Sequence, residues 1–177
     1  AIRPDNLVFL ATGDQVQLDR DISVSILYPP RADETTYRKM TQASEDENRT
    51  SLLMLVDYEG VTTLMTGDIG EAGERAVLEA GKNTLQADIL KVGHHGSKSS
   101  SSEAFLDAVG ADFAVIQCGR NTFGHPTGEV IEKLHAHDII VLRNDLYGAV
   151  RFKIDKGKIV GISETTSRIP ADRTGFT

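Results

Sequence analysis

The chain has 177 residues, 40% of them hydrophobic and 25% charged, and carries a net charge of −7. That length and composition fit one globular domain with a sizeable core, and no apolar run approaches the roughly 20 residues that a membrane-spanning helix requires. The acidic balance excludes a broad basic surface that holds nucleic acid by neutralising phosphates, but not a nuclease whose bound divalent metals supply the local positive charge.

The N-terminus, Ala-Ile-Arg-Pro-Asp, has no apolar signal-peptide core. It begins without Met, as expected of a piece of something longer. Cys118 is the single cysteine, which rules out an internal disulfide framework and a thiolate zinc site. Its place in the apolar run FAVIQC predicts a buried structural thiol.

Taken in chain order, strands are expected at Leu7 to Leu10 and Gln15 to Leu18, about a turn at Thr12-Gly13-Asp14. Ile22, Val24 and Ile26 alternate with serines, the period of a half-buried strand, which Tyr28-Pro29-Pro30 ends. From Arg31 to Thr50 the chain is polar and aperiodic and is expected to be a flexible excursion with at most a short helix. The acids Glu45, Asp46 and Glu47 fit a solvated loop.

Ser51 to Tyr58 and Val61 to Thr66 form a hairpin about Glu59-Gly60. Glu71 to Ala80 follows as a helix with Ala72, Ala76, Val77 and Ala80 on one face and Gly81 as its stop. Then strand and helix alternate. Strands are expected at Ala87 to Val92, Asp112 to Cys118 and Ile139 to Arg143, and helices at Glu103 to Val109 and Gly128 to Ala136. A last hairpin runs from Ala149 to Ile154 and from Lys158 to Ser163, and the tail after Glu164 is expected to be loose. Hairpins first and alternation later predict an α/β arrangement, a mixed sheet with helices packed on it, in one domain spanning 1–177.

Three segments at strand exits concentrate the reactive side chains, and such loops are where α/β proteins place their sites. In Thr66-Gly67-Asp68-Ile69, a carboxylate just past a strand and after Gly can approach a metal closely. Asp68 also lies three residues before Glu71, so a helix-capping box fits the same residues. In Lys91-Val92-Gly93-His94-His95-Gly96-Ser97, imidazole is the commonest neutral metal ligand. Extended backbone sends adjacent side chains to opposite faces, so one histidine is expected to bind metal and the other to support it or act as a general acid. A plain polar loop with flexible glycines is the bland alternative. In Asn121-Thr122-Phe123-Gly124-His125-Pro126, Pro126 biases His125 towards extended backbone, beside a helix N-terminus that favours anions. His125 serves equally as a helix cap. His135 and His137, at a helix C-terminus, fit a structural or surface role. Ser100 and Glu103 are expected to form a capping box.

In this order, Asn48-x-x-Ser51-Leu-Leu, Leu-Met-Thr-Gly-Asp-Ile, Ile-Leu-Lys-Val-Gly-His-His-Gly-Ser-Lys, Gly-x-Asn-x-x-Gly-His-Pro and the terminal Gly148-Ala149-Val150-x-Phe152 resemble the metallo-β-lactamase domain of the ComEC family. These are DNA-internalisation competence proteins, bacterial membrane channels for transforming DNA. The resemblance spans roughly residues 7 to 163. It implies a four-layer αββα sandwich, of which this chain supplies the C-terminal part, and a centre of two divalent metal ions, zinc or manganese.

Asp68 then matches the bridging aspartate, and His94 or His95 the late metal ligand. His94, His95 and His125 are the catalytic candidates, and Ser97 and Asn121 the substrate-binding ones. The implied activity is metal-assisted hydrolysis of phosphodiesters in DNA. The implied partners are single-stranded or incoming DNA and the rest of a membrane-embedded channel, with the domain at the extracytoplasmic face. The leading His-x-His-x-Asp-His motif is absent, and Asn48 stands where some relatives carry histidine. The chain alone is therefore expected to be inactive and to expose one sheet face, which a second copy would cover. Two alternatives are a phosphorylcholine esterase, which shares the double histidine, and a non-catalytic DNA-binding or docking module.

Overall fold

The computed structural model describes residues 10–33, 48, 51–81 and 85–165. Seven strands, β1 (Gln15–Asp19), β2 (Ile22–Tyr28), β3 (Leu53–Tyr58), β4 (Val61–Met65), β5 (Ile89–Lys91), β6 (Phe113–Ile116) and β7 (Ile140–Arg143), form one mixed sheet in strict chain order. The first four pair antiparallel as successive hairpins. From β4 onward the pairing is parallel.

The parallel half is wound by α1 (Glu71–Ala80), α2 (Glu103–Val109) and α3 (Gly128–Ala136), one helix per crossover. The register aligns Leu64, Leu90, Ala114 and Val141 in a row across β4 to β7. That buried row joins Val77 of α1, Phe105, Leu106 and Val109 of α2, and Val130 and Leu134 of α3 in one core. All three helices thus cover the same face, as right-handed crossovers in sequential order require. Burying these side chains contributes roughly 1.5–3 kcal/mol for each large aliphatic or aromatic one.

The expected spans of α1, α2 and α3 are met to the residue. The buried face of α1 is turned, however, to Gly73, Glu74 and Val77, and Ala80 lies exposed. Glu74 is buried, and its carboxylate accepts the N–H groups of Ser101 at 2.6 Å and Ser102 at 2.9 Å at the entrance to α2. This arrangement corrects the expected capping box: Ser102 is the N-cap, no side chain on that helix caps it, and the Ser100 hydroxyl donates to Gly93 O and Ser97 O.

Strands β5 and β6 are shorter than expected: Ala87 is buried before β5, and Val92 is buried just after it with its N–H still donating to Val115 O of β6 at 3.0 Å. A four-residue helix, α4 (Asn144–Tyr147), follows β7 and was not expected. Leu10 lies outside any strand, and residues 7–9, most of the 31–50 excursion and the tail beyond 165 fall outside the described residues.

The final hairpin, β8 (Val150–Asp155) and β9 (Lys158–Glu164), forms its own two-stranded sheet. The Phe152 ring meets Phe113 of β6 edge to face, with centroids 5.6 Å apart. The face away from the helices, expected bare, is in part covered by this hairpin of the same chain. No described helix is long and apolar enough to cross a membrane.

Candidate metal centre

The loops after β4, β5 and β6 leave the carboxyl ends of three neighbouring strands, so the topology alone brings Asp68, the His94-His95 pair and His125 to one edge. The first loop passes tightly under Ser51. A Cβ on Gly67, whose φ is +56°, would lie 3.1 Å from Ser51 Cβ and 3.3 Å from Leu52 O. Only glycine accepts that approach with that dihedral. Asp68 N–H donates to Ser51 Oγ at 3.2 Å, Thr66 Oγ1 donates to Lys91 O at 2.7 Å, and Ile69 is wholly buried. The capping-box alternative for Asp68 is not realised: the N-cap of α1 is Gly70 and no side chain caps it. The Asp68 carboxylate turns instead towards Lys91 and His95.

His94 and His95 both occupy left-handed backbone, with φ/ψ of 46°/42° and 55°/22°. The extended geometry assumed from sequence is therefore absent. Each such non-glycine residue costs roughly 1–3 kcal/mol and persists because its surroundings fix it. His94 N–H donates to Gly67 O at 3.3 Å, and Ser97 N–H donates to His94 O at 2.9 Å. Ser97 itself is buried, its hydroxyl 3.0 Å from that of Ser99.

The two imidazoles diverge. His95 Nδ1 stands 2.6 Å from the carbonyl of Gln117, which only accepts, so Nδ1 carries the proton and Nε2 presents its lone pair. That Nε2 is 3.5 Å from Asp68 Oδ1. Two donor atoms each about 2.0–2.2 Å from a shared metal lie roughly 3–3.6 Å apart, so the spacing fits a ligand pair. Anchoring the second ring nitrogen on a carbonyl is the usual support for a metal-binding histidine.

His94 instead has Asn48 Nδ2 at 3.5 Å from its ring nitrogens and packs edge to face on His125 at 5.6 Å. His125 Nδ1 is buried without a hydrogen-bond partner among the described residues. Burial, followed by the charges of His94 and His95, holds the His125 pKa below its ordinary value. Asn121 uses its amide on its own loop, donating to Gly119 O and His125 O and accepting from the N–H groups of Phe123 and His125.

Lys91 was overlooked in the sequence. Its side chain is 9% exposed, with Nζ 3.7 Å from Asp68 Oδ1 and donating to Gly67 O. Burial lowers its pKa and the Asp68 charge opposes that shift. A lysine closing an otherwise apolar strand was the available signal. The Gln117 carbonyl had none, since main chain carries no sequence signature.

Cys118 is half-buried near Asp145, and burial pushes its thiol up to about 11. His137 Nε2 lies 3.3 Å from Glu103 and 3.2 Å from Asp107 of α2, a structural role like that expected. Among the described residues, no group of three or more His, Cys, Asp or Glu side chains is placed to hold a metal ion. Asp68 and His95 thus fit part of a nitrogen- and oxygen-donor site.

Comparison with known proteins agrees with this reading of the fold. ComE operon protein 3 of Bacillus subtilis is 33% identical over 142 residues, 80% of this chain and 17% of that protein. Competence protein ComA of Neisseria gonorrhoeae is 38% identical over 115 residues, 64% of the chain and 17% of the relative. Recombination protein 2 of Haemophilus influenzae is 37% identical over 106 residues, 59% and 13% respectively. The chain therefore spans about a sixth or less of these relatives. These relatives, one of them named a competence protein, bear out the resemblance to the ComEC-family domain. The Metallo-beta-lactamase superfamily model matches residues 9–120, and on that match the chain belongs to the metallo-beta-lactamase superfamily.

Proposed function

We propose that this chain carries the Asp68–His95 side of a divalent-metal phosphodiesterase centre in a DNA-uptake protein, acting on single-stranded DNA. The observation that supports it best is the 3.5 Å approach of His95 Nε2 to Asp68 Oδ1, with His95 Nδ1 committed to Gln117 O. The resemblance to the ComEC family, with a relative named for competence, supports the DNA context. Divalent ions held there would supply Lewis-acid polarisation of a phosphoryl oxygen and offset its developing charge.

The chain's own residues do the rest. Asp68 offers its carboxylate, held by Lys91 and by the main chain that Lys91 anchors. His95 offers a fixed tautomer. His94 and His125 face each other beside this pair, and burial favours His125 in its neutral form, an uncharged imidazole at the edge of the centre. We assign the remaining ligands to a His-x-His-x-Asp-His motif, which residues 1–177 lack, so cleavage needs a polypeptide that carries it. The parent protein would then be a membrane channel, with this domain on the extracytoplasmic side.

The test compares the parent polypeptide with its Asp68→Ala and His95→Ala variants in metal-dependent cleavage of single-stranded DNA. Both variants should fall to background while remaining folded. Wild-type cleavage in either overturns the assignment.

A further inference from the structure

Beside the centre lies a cleft of about 500 Å³ whose lining includes His95, Arg120, Phe123, His125 and Asn144. A lone exposed apolar side chain is ordinary on a protein surface, but the setting of Phe123 is not. The residue is 80% exposed, yet its backbone is pinned and its ring has a neighbour. The ring stacks on His125 at 21° with centroids 6.1 Å apart, and its N–H is bound by Asn121 Oδ1 at 3.1 Å. Asn121 in turn ties together Gly119 O and His125 O. The ring thus lies offset and near-parallel to an imidazole of the centre, and most of its surface is open. Arg120, three positions earlier, is exposed on the same cleft.

A flat, open aromatic face beside a guanidinium matches the two halves of a nucleotide: the base stacks on the ring and a phosphate meets the cation. In a duplex each base is covered by its neighbours, whereas an unpaired strand can present a free face. Resting on the phosphodiesterase reading above, we propose that Phe123 is the stacking platform for a base flanking the scissile phosphate of a single strand, with Arg120 on a neighbouring phosphate. Phe123 is then a positioning residue that selects single strands without selecting sequence, because every base has a π face.

The chain contains no tryptophan, so Phe123→Trp places a unique fluorophore on the platform. The full chain is titrated with a short oligothymidylate and with an abasic strand of equal length, wild type and Phe123→Leu being followed by anisotropy of labelled strands. Oligothymidylate should quench the tryptophan and bind wild type roughly tenfold more tightly than the abasic strand. Phe123→Leu, which keeps apolar bulk without a π face, should lose that difference and bind the abasic strand as wild type does. Equal binding of the two strands by wild type, a comparison that needs no variant, overturns the platform and leaves the phosphodiesterase reading standing. Failure of wild type to bind either strand likewise overturns the platform, while the phosphodiesterase reading stands or falls on cleavage by the parent polypeptide.

Discussion

Lys91, at the end of β5, extends its ammonium under the β4 exit, where it donates to Gly67 O and lies 3.7 Å from Asp68 Oδ1. A buried cation is tolerated only when paired and hydrogen-bonded, and here both partners belong to the segment that presents Asp68. Lys91→Met keeps the apolar stem but leaves Gly67 O without its donor. The expected cost is about 1–3 kcal/mol in urea unfolding. Unchanged stability would show that Lys91 is incidental to the loop.

The Gly96 turn is closed against Pro126. A Cβ at Gly96 would lie 2.6 Å from Pro126 Cβ and 3.1 Å from Pro126 Cα, at a φ of +82°. Gly96→Ala must therefore part the histidine turn from the His125 loop, at about 2–4 kcal/mol. Gly128→Ala, where a Cβ meets nothing within 4 Å, is the control and should be neutral or slightly stabilising. Thermal melting of the two variants side by side checks the contrast.

Glu74 links α1 to the entrance of α2, and Glu74→Ala strands two N–H groups, at about 2–4 kcal/mol. Burial raises its pKa above the usual 4.5, against the lowering effect of the Ser101 and Ser102 hydrogen bonds. The folded state thus holds the proton to higher pH than the unfolded chain. The stability linked to this proton is full below 4.5 and is lost as pH rises through the folded value. Urea midpoints measured from pH 4 upward should show this decline in wild type relative to Glu74→Gln. Parallel curves would contradict it.

Asn121 makes four hydrogen bonds within one loop. Asn121→Ala should speed amide exchange at Phe123 and His125 while leaving the β-sheet amides unchanged. Asn121→Asp retains the acceptor and should protect Phe123 and His125 better than Ala. Its effect on global stability should stay near 1 kcal/mol, because the loop is exposed.

The three longer helices were legible because apolar periodicity and a stop residue such as Gly81 are local signals. Strand ends were less so: Ala87 is buried outside the ladder, its N–H donating to Val109 O of α2, and an apolar run reports burial, not pairing. The histidine turn could not be read, since its left-handed backbone goes with a close approach of Gly96 to Pro126, far along the chain. The Ser100–Glu103 capping box failed for a similar reason, because Glu74, far away in sequence, takes the N–H groups at the start of α2. The convergence of the three site loops was legible, because each follows a strand of one parallel set. Which histidine meets Asp68 was not.

That choice is open to direct measurement by nitrogen-15 correlation of the imidazole rings during zinc titration of the full chain. Binding at the Asp68–His95 pair should shift His95 Nε2, leave its Nδ1 protonated on Gln117 O, and vanish in Asp68→Ala. A response at His94 in place of His95, or a His95 response that survives Asp68→Ala, would contradict the assignment of the centre.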